Sequence, residues 1–187
     1  AEYMIRSEGS TPYELAREGK FNSEKLYSAA RTVGWSDIEW LKGMLKDDDS
    51  GVRYWAVIGL MQLDLPVQEL TDILRLVVLQ DSSPAVQIQA AEALGRKIQD
   101  KAVLECLLRW VEDDRPAVAL QAARSILLIG DHARPLIPEL YPILEKNQGE
   151  PGAKHRYKDF NFAAFTSWAL EWALAEMGEE IAVNGGK

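Results

Sequence analysis

Cysteine and histidine are almost missing from this chain. Its 187 residues hold one cysteine, Cys106, and two histidines, His132 and His155. That excludes a disulfide framework and a cysteine-rich zinc site, and it leaves little for a histidine metal centre, so no cofactor and no metal are expected. Basic charge is in deficit: 21 Lys+Arg stand against 29 Asp+Glu, for a formal net charge of −8. Nucleic-acid binders draw their affinity from Lys and Arg neutralising phosphates, so a nucleic-acid partner is not expected. No apolar run approaches the roughly 18 residues that span a bilayer, so no membrane partner is expected either. No window alternates β-branched and polar residues at period two, which predicts no sheet. The opening Ala1-Glu2-Tyr3-Met4 has no basic and apolar leader, and a start at Ala is expected of a processed chain or of a piece of something longer. What is present is ordinary for a folded acidic protein: 47% apolar and 27% charged residues, enough to bury roughly 70% of the unfolded surface.

Helix punctuation is legible. Thr11-Pro12-Tyr13-Glu14 and Ser36-Asp37-Ile38-Glu39 both read as capping boxes, with the hydroxyl and the glutamate positioned to satisfy the first free N–H groups. Gly19 and Gly34 are placed as helix stops, so two short helices are expected before residue 35. Beyond it the sequence repeats. The segments Val52–Leu60, Val86–Leu94 and Val118–Ile126 share Val, Ala, a small residue and a large aliphatic at their first, fifth, eighth and ninth places. Those offsets share one face of a 3.6-residue helix, and the small residues allow close helix approach. An acidic turn precedes each segment (Asp47-Asp48-Asp49, Asp81, Asp113-Asp114), and another amphipathic stretch precedes each turn: Ile38–Leu45, Leu70–Leu79 and Val103–Val111. A looser fourth copy runs from Pro138 to Leu144, through a loop over Asn147–Lys158, to a helix over Phe160–Met177. One such unit cannot bury its apolar face alone, whereas stacked copies share a core. The expected fold is all-α: a right-handed α-solenoid of about four helical hairpins over residues 35–178, a lead-in over 1–34 with two short helices, and a tail over 179–187.

The register of Val-Arg at the start of the second helix and Ala-Leu near its end resembles the HEAT repeat family. Arg53 keeps that pattern, while Gln87 and Ala119 replace the arginine, so a continuous Asp–Arg ladder between repeats is not expected. At the front, Ile5-Arg6-Ser7-Glu8-Gly9-Ser10-Thr11-Pro12-Tyr13-Glu14-Leu15-Ala16-Arg17 is similar to the linker that introduces a C-terminal HEAT-like domain in one group of bacterial sulfatases. Asp49-Ser50-Gly51-Val52-Arg53-Tyr54-Trp55-Ala56 is similar to the first repeat of that domain. The resemblance implies a non-catalytic accessory domain, docked on an upstream catalytic domain of the same polypeptide that hydrolyses sulfate esters, in the periplasm or outside the cell. The reading of a different class is a free-standing scaffold that binds a protein or peptide.

Chemistry is hard to find in these residues. The Cys/Ser-x-Pro-x-Arg signature of a sulfatase nucleophile is missing: Cys106-Leu107-Leu108-Arg109 lacks the proline, and Ser82-Ser83-Pro84-Ala85-Val86 ends in Val. The three adjacent aspartates 47–49 cannot all converge on a cation and suit a helix N-terminus instead. Asp131-His132 follows a helix-ending glycine, with no nucleophile placed beside it. No catalytic and no metal residue is therefore assigned. Two apolar features point to interaction. Tyr54, Ile88 and Leu120 occupy the third place of the aligned helices, off the core face, where they form either an exposed stripe or one covered by neighbouring segments. Phe165, Trp168 and Trp172 belong to a last helix too apolar to fit one face, as expected if another domain, another protein or a second copy covers it. The basic island Lys154, Arg156 and Lys158 is a candidate for meeting an anionic group, or else a solvated loop.

Overall fold

The computed structural model describes residues 23–34, 37–148 and 157–181. Among them are nine α-helices and no strand: α1 Ser23–Thr32, α2 Ile38–Met44, α3 Ser50–Gln62, α4 Val67–Gln80, α5 Pro84–Gly95, α6 Lys101–Val111, α7 Pro116–Ile129, α8 Ile137–Gln148 and α9 Tyr157–Glu176. A 3-10 segment, Gly130–Leu136, joins α7 to α8. The order is that of an α-solenoid of helical hairpins, α2–α3, α4–α5, α6–α7 and α8–α9. Two compact units divide the chain, Ala1–Ala93 and Leu94–Lys187. The first capping box, Gly19 and the helix expected before it lie outside the described residues.

Aspartates cap three of the described helices. In the first unit Asp37 accepts from the backbone N–H of Trp40 at 2.7 Å, so the cap of α2 falls one residue later than the Ser36 box implied. Glu39 does not reach back to the cap; it accepts from Lys42 Nζ at 2.7 Å. A carboxylate accepts the first N–H groups as readily as a hydroxyl and also suits the positive end of the helix dipole. Asp49 caps α3 through Gly51 N at 2.8 Å. In the second unit Asp100 caps α6 through Ala102 N at 2.8 Å and Val103 N at 3.3 Å. Gly34 and Gly130, with φ of 83° and 57°, follow α1 and α7 in a backbone region that side-chain-bearing residues avoid.

The repeat register predicts the core. The first-place residues Val52, Val86 and Val118, the fifth-place Ala56, Ala90 and Ala122, and the ninth-place Leu60, Leu94 and Ile126 are all buried. The eighth place is small for a steric reason. A Cβ on Gly59 would lie 2.6 Å from Leu41 Cδ2, so the glycine lets α3 close onto α2 within the first unit. In the second unit α7 packs against both α6 and α9, and α9 against α8.

The third-place residues, expected either exposed or covered, differ among themselves. Ile88 is fully buried, whereas Tyr54 and Leu120 are half-buried. α5 is enclosed around almost its whole circumference, including Gln87, Gln89 and Glu92, so it has no outer face for Ile88 to occupy.

One rung of the Arg–Asp ladder is present, in the first unit. Arg53, in the first turn of α3, forks onto Asp81 with Nε–Oδ2 and Nη2–Oδ1 distances of 2.8 Å. Its remaining N–H groups donate to the carbonyls of Asp47 at 2.9 Å and Asp48 at 3.1 Å, and to Ser82 Oγ at 3.2 Å. The side chains are 10% and 7% exposed. At the matching place of the next repeat Gln87 donates its amide to the carbonyl of Asp81, and Ala119 offers no polar group. Removing one partner of a buried ion pair leaves a desolvated charge, at a cost of about 3–5 kcal/mol. Arg53→Met is expected to lower the unfolding free energy by about 3 kcal/mol. Arg53→Met/Asp81→Asn should recover part of that loss, because no bare carboxylate remains. Urea unfolding measures both; a loss below about 1 kcal/mol in the single variant would make the pair an ordinary surface contact.

Candidate interaction surface

The last helix carries apolar residues on two sides. Thr166, Ser167, Leu170, Ala173, Leu174 and Met177 are buried, at offsets of 0, 1, 4, 7, 8 and 11 that define one helical face. Phe162, Phe165, Trp168 and Trp172 lie on the other side, 37%, 49%, 56% and 67% exposed. Phe165 meets Trp168 edge to face, with ring centroids 5.4 Å apart and planes at 70°. This is the arrangement preferred by ring quadrupoles, and it holds the two rings as one ridge. Aromatic side chains carry about 150–250 Å² each, so these exposures sum to roughly 300–500 Å² of exposed aromatic surface, the size of patch that often marks an interaction site. Phe162 belongs to the same apolar set of the last helix, and its spacing of three from Phe165 extends the ridge.

A cleft of about 340 Å³ adjoins the Phe162 end. Glu112, Asp113, Asp114 and Lys146 line it together with Phe162 and Thr166. Arg115 grips Asp113 with Nε–Oδ1 at 2.7 Å and Nη2–Oδ2 at 2.9 Å, and its own backbone N–H donates to Oδ1 at 2.9 Å. These bonds hold the Asp113 carboxyl below the usual carboxylate range, against an opposing effect of burial. Beyond Trp172 the helix exit is acidic: Glu176 and Glu180 are exposed, and Glu179 accepts from Tyr141 Oη at 2.8 Å.

Lys154 and Arg156 lie outside the described residues, and Lys158 falls in the first turn of α9, which begins before the Phe160 start expected. Asp47 accepts from Lys25 Nζ at 2.6 Å and from Asp49 N at 2.8 Å, so the triple-aspartate turn is structural. His132 Nδ1 stands 2.6 Å from the carbonyl of Gly95, which gives the ring a structural partner. Cys106 is buried on α6, and that burial pushes its thiol up to about 11, leaving it protonated and inert at neutral pH. Among the described residues no three His, Cys, Asp or Glu side chains converge as metal ligands, and no helix is long and apolar enough to cross a membrane. Sequence reading missed Trp40, exposed on α2, which lines a separate cavity of about 550 Å³ with Lys25, Glu39, Met44 and Asp47 in the first unit.

Asp113 gives a pH dependence. Its folded pKa is lowered, so its stabilisation is complete above the unfolded value near 4 and is lost as pH falls through the folded value. Arg115→Gln is expected to destabilise the protein by about 0.5–1 kcal/mol at pH 7 and by less at about pH 2.5, read from urea midpoints. An equal loss at both pH values would assign the effect of Arg115 to its packing over the Trp110 ring, 5.6 Å away, instead of to the carboxylate.

Residues 71–151, from within α4 to just beyond α8, match the family profile of the HEAT repeats. No curated protein and no solved structure matched the chain. The helical hairpins, the buried repeat register and this match together show that the chain carries a HEAT-repeat-like domain.

Proposed function

We propose that this chain is a non-catalytic helical-repeat scaffold that engages another protein through the aromatic ridge of α9. The observation that carries this reading is the exposure of Phe165, Trp168 and Trp172 on a helix whose opposite face is already buried. A terminal repeat that faces only water ordinarily presents a polar outer face. The test is a photo-crosslinking amino acid at position 172, in the native polypeptide in its source cell, with the same probe at exposed Arg124 as the control. A discrete crosslinked product from position 172 and none from position 124 is expected. Equal labelling at both positions would sink the reading.

A second reading rests on the front of the chain. Thr11-Pro12-Tyr13-Glu14 and its flanks resemble a sulfatase linker, which would make the scaffold an accessory domain that docks on, or shapes access to, a sulfuric ester hydrolase. Under that reading Lys154, Arg156 and Lys158 would face the catalytic domain or its sulfated substrate. The intact mass of the native polypeptide, detected with an antibody against this segment, is then expected to be several times 21.0 kDa. A mass of 21.0 kDa would remove the sulfatase reading and leave the scaffold.

A further inference from the structure

From Phe162 onward the segment bearing the aromatic ridge carries charge of one sign, whereas Lys158 precedes it in the first turn of α9 and Arg134 Nη2 lies 4.0 Å from where a Cβ on Gly178 would stand. Residues 162–181 include Glu171, Glu176, Glu179 and Glu180 and no Lys or Arg. Glu176 continues the ridge four residues beyond Trp172, at the helix end where free carbonyls add negative partial charge. At the other end Phe162 shares its cleft with Glu112, Asp113 and Asp114; Arg115 is tied to Asp113, and among the described residues Lys146 is the cation in the lining. Two copies laid antiparallel on the ridge would bring Glu176 and Glu180 of one onto the Glu112–Asp114 end of the other. Two copies laid parallel would bring Glu176 against Glu176. Like-charge juxtaposition at an interface is costly, so both arrangements of a second copy are disfavoured.

The ridge residues are spaced by three, three and four, the rows that fit between the side chains of a facing helix. We propose that the ridge docks an amphipathic helix of a partner polypeptide, with an apolar seam at i, i+3, i+4 and i+7 flanked by Lys or Arg. The inference deepens the interaction reading above and rests on it. Aromatic rings supply the desolvated contact, and the flanking glutamates select the sign of the partner and steer its approach.

The probes are two synthetic helical peptides of about 18 residues that share one leucine seam at helical spacing and differ only in Lys or Glu flanks. Each is titrated by fluorescence anisotropy at about 0.15 M salt, so that exposed charges are screened as in a cell. The Lys-flanked peptide is expected to bind at least about ten-fold more tightly than the Glu-flanked one. Trp168→Ser/Trp172→Ser should weaken it by a further factor of about ten; both rings are exposed, so the fold should survive, which circular dichroism checks. Glu176→Lys/Glu180→Lys, also at exposed positions, should narrow or invert the preference between peptides. Equal binding of the two peptides, or binding unchanged in the double-tryptophan variant, would overturn the proposal. So would a dimer in equilibrium sedimentation that the tryptophan variant dissolves, because a second copy would then occupy the ridge. If the peptides fail to discriminate while position 172 still crosslinks, the interaction reading stands and the basic helix is the part that falls.

Discussion

A pair of antiparallel helices closes one apolar face on itself and leaves another that only a neighbouring hairpin can cover. Everything else in this protein follows from that constraint. It requires short side chains where helices approach, and the glycine at position 59 lets Leu41 reach the backbone of α3. It requires a repeating register of Val, Ala, small and large aliphatic residues, all of them buried in each of the three aligned helices. It also accounts for the last helix. α9 has one face on α7 and α8, and its other side bears the rings that a further hairpin would otherwise bury.

The charged residues serve the same architecture. Aspartates start helices at positions 37, 49 and 100, and Arg53 ties the start of α3 to the turn before α5 through Asp81. The residues that looked most like chemistry are absorbed in this way. The aspartates of 47–49 cap and brace a turn, His132 holds to a backbone carbonyl, and Cys106 is a small buried apolar group. Glu171, Glu176, Glu179 and Glu180 leave negative charge along and beyond the α9 ridge, where it can act on an approaching partner over about a Debye length.

Fold class and core were legible because helical periodicity is local: residues three and four apart share a face wherever the helix sits. The buried Val52, Ala90 and Ile126 were therefore readable without coordinates, as were the outward aromatics of α9, which exceed what one face can hold. Caps were readable only approximately. Adjacent Ser36 and Asp37 are both competent, and a shift of one residue is decided by the geometry of the turn.

Exposure at a given helix position depends on what lies on the far side, and no local pattern encodes that. Tyr54, Ile88 and Leu120 occupy equivalent places in the repeat, yet Ile88 is sealed while the other two are half-exposed, and nearly every residue of α5 is buried with it. The Arg53–Asp81 rung joins residues 28 apart and exists only because packing brings the α3 start to that turn. The sequence by itself determined the helices, their apolar faces and the scarcity of cysteine and histidine. Only the tertiary structure decided which of those faces still meet solvent, because covering a face requires contacts between residues far apart in the chain.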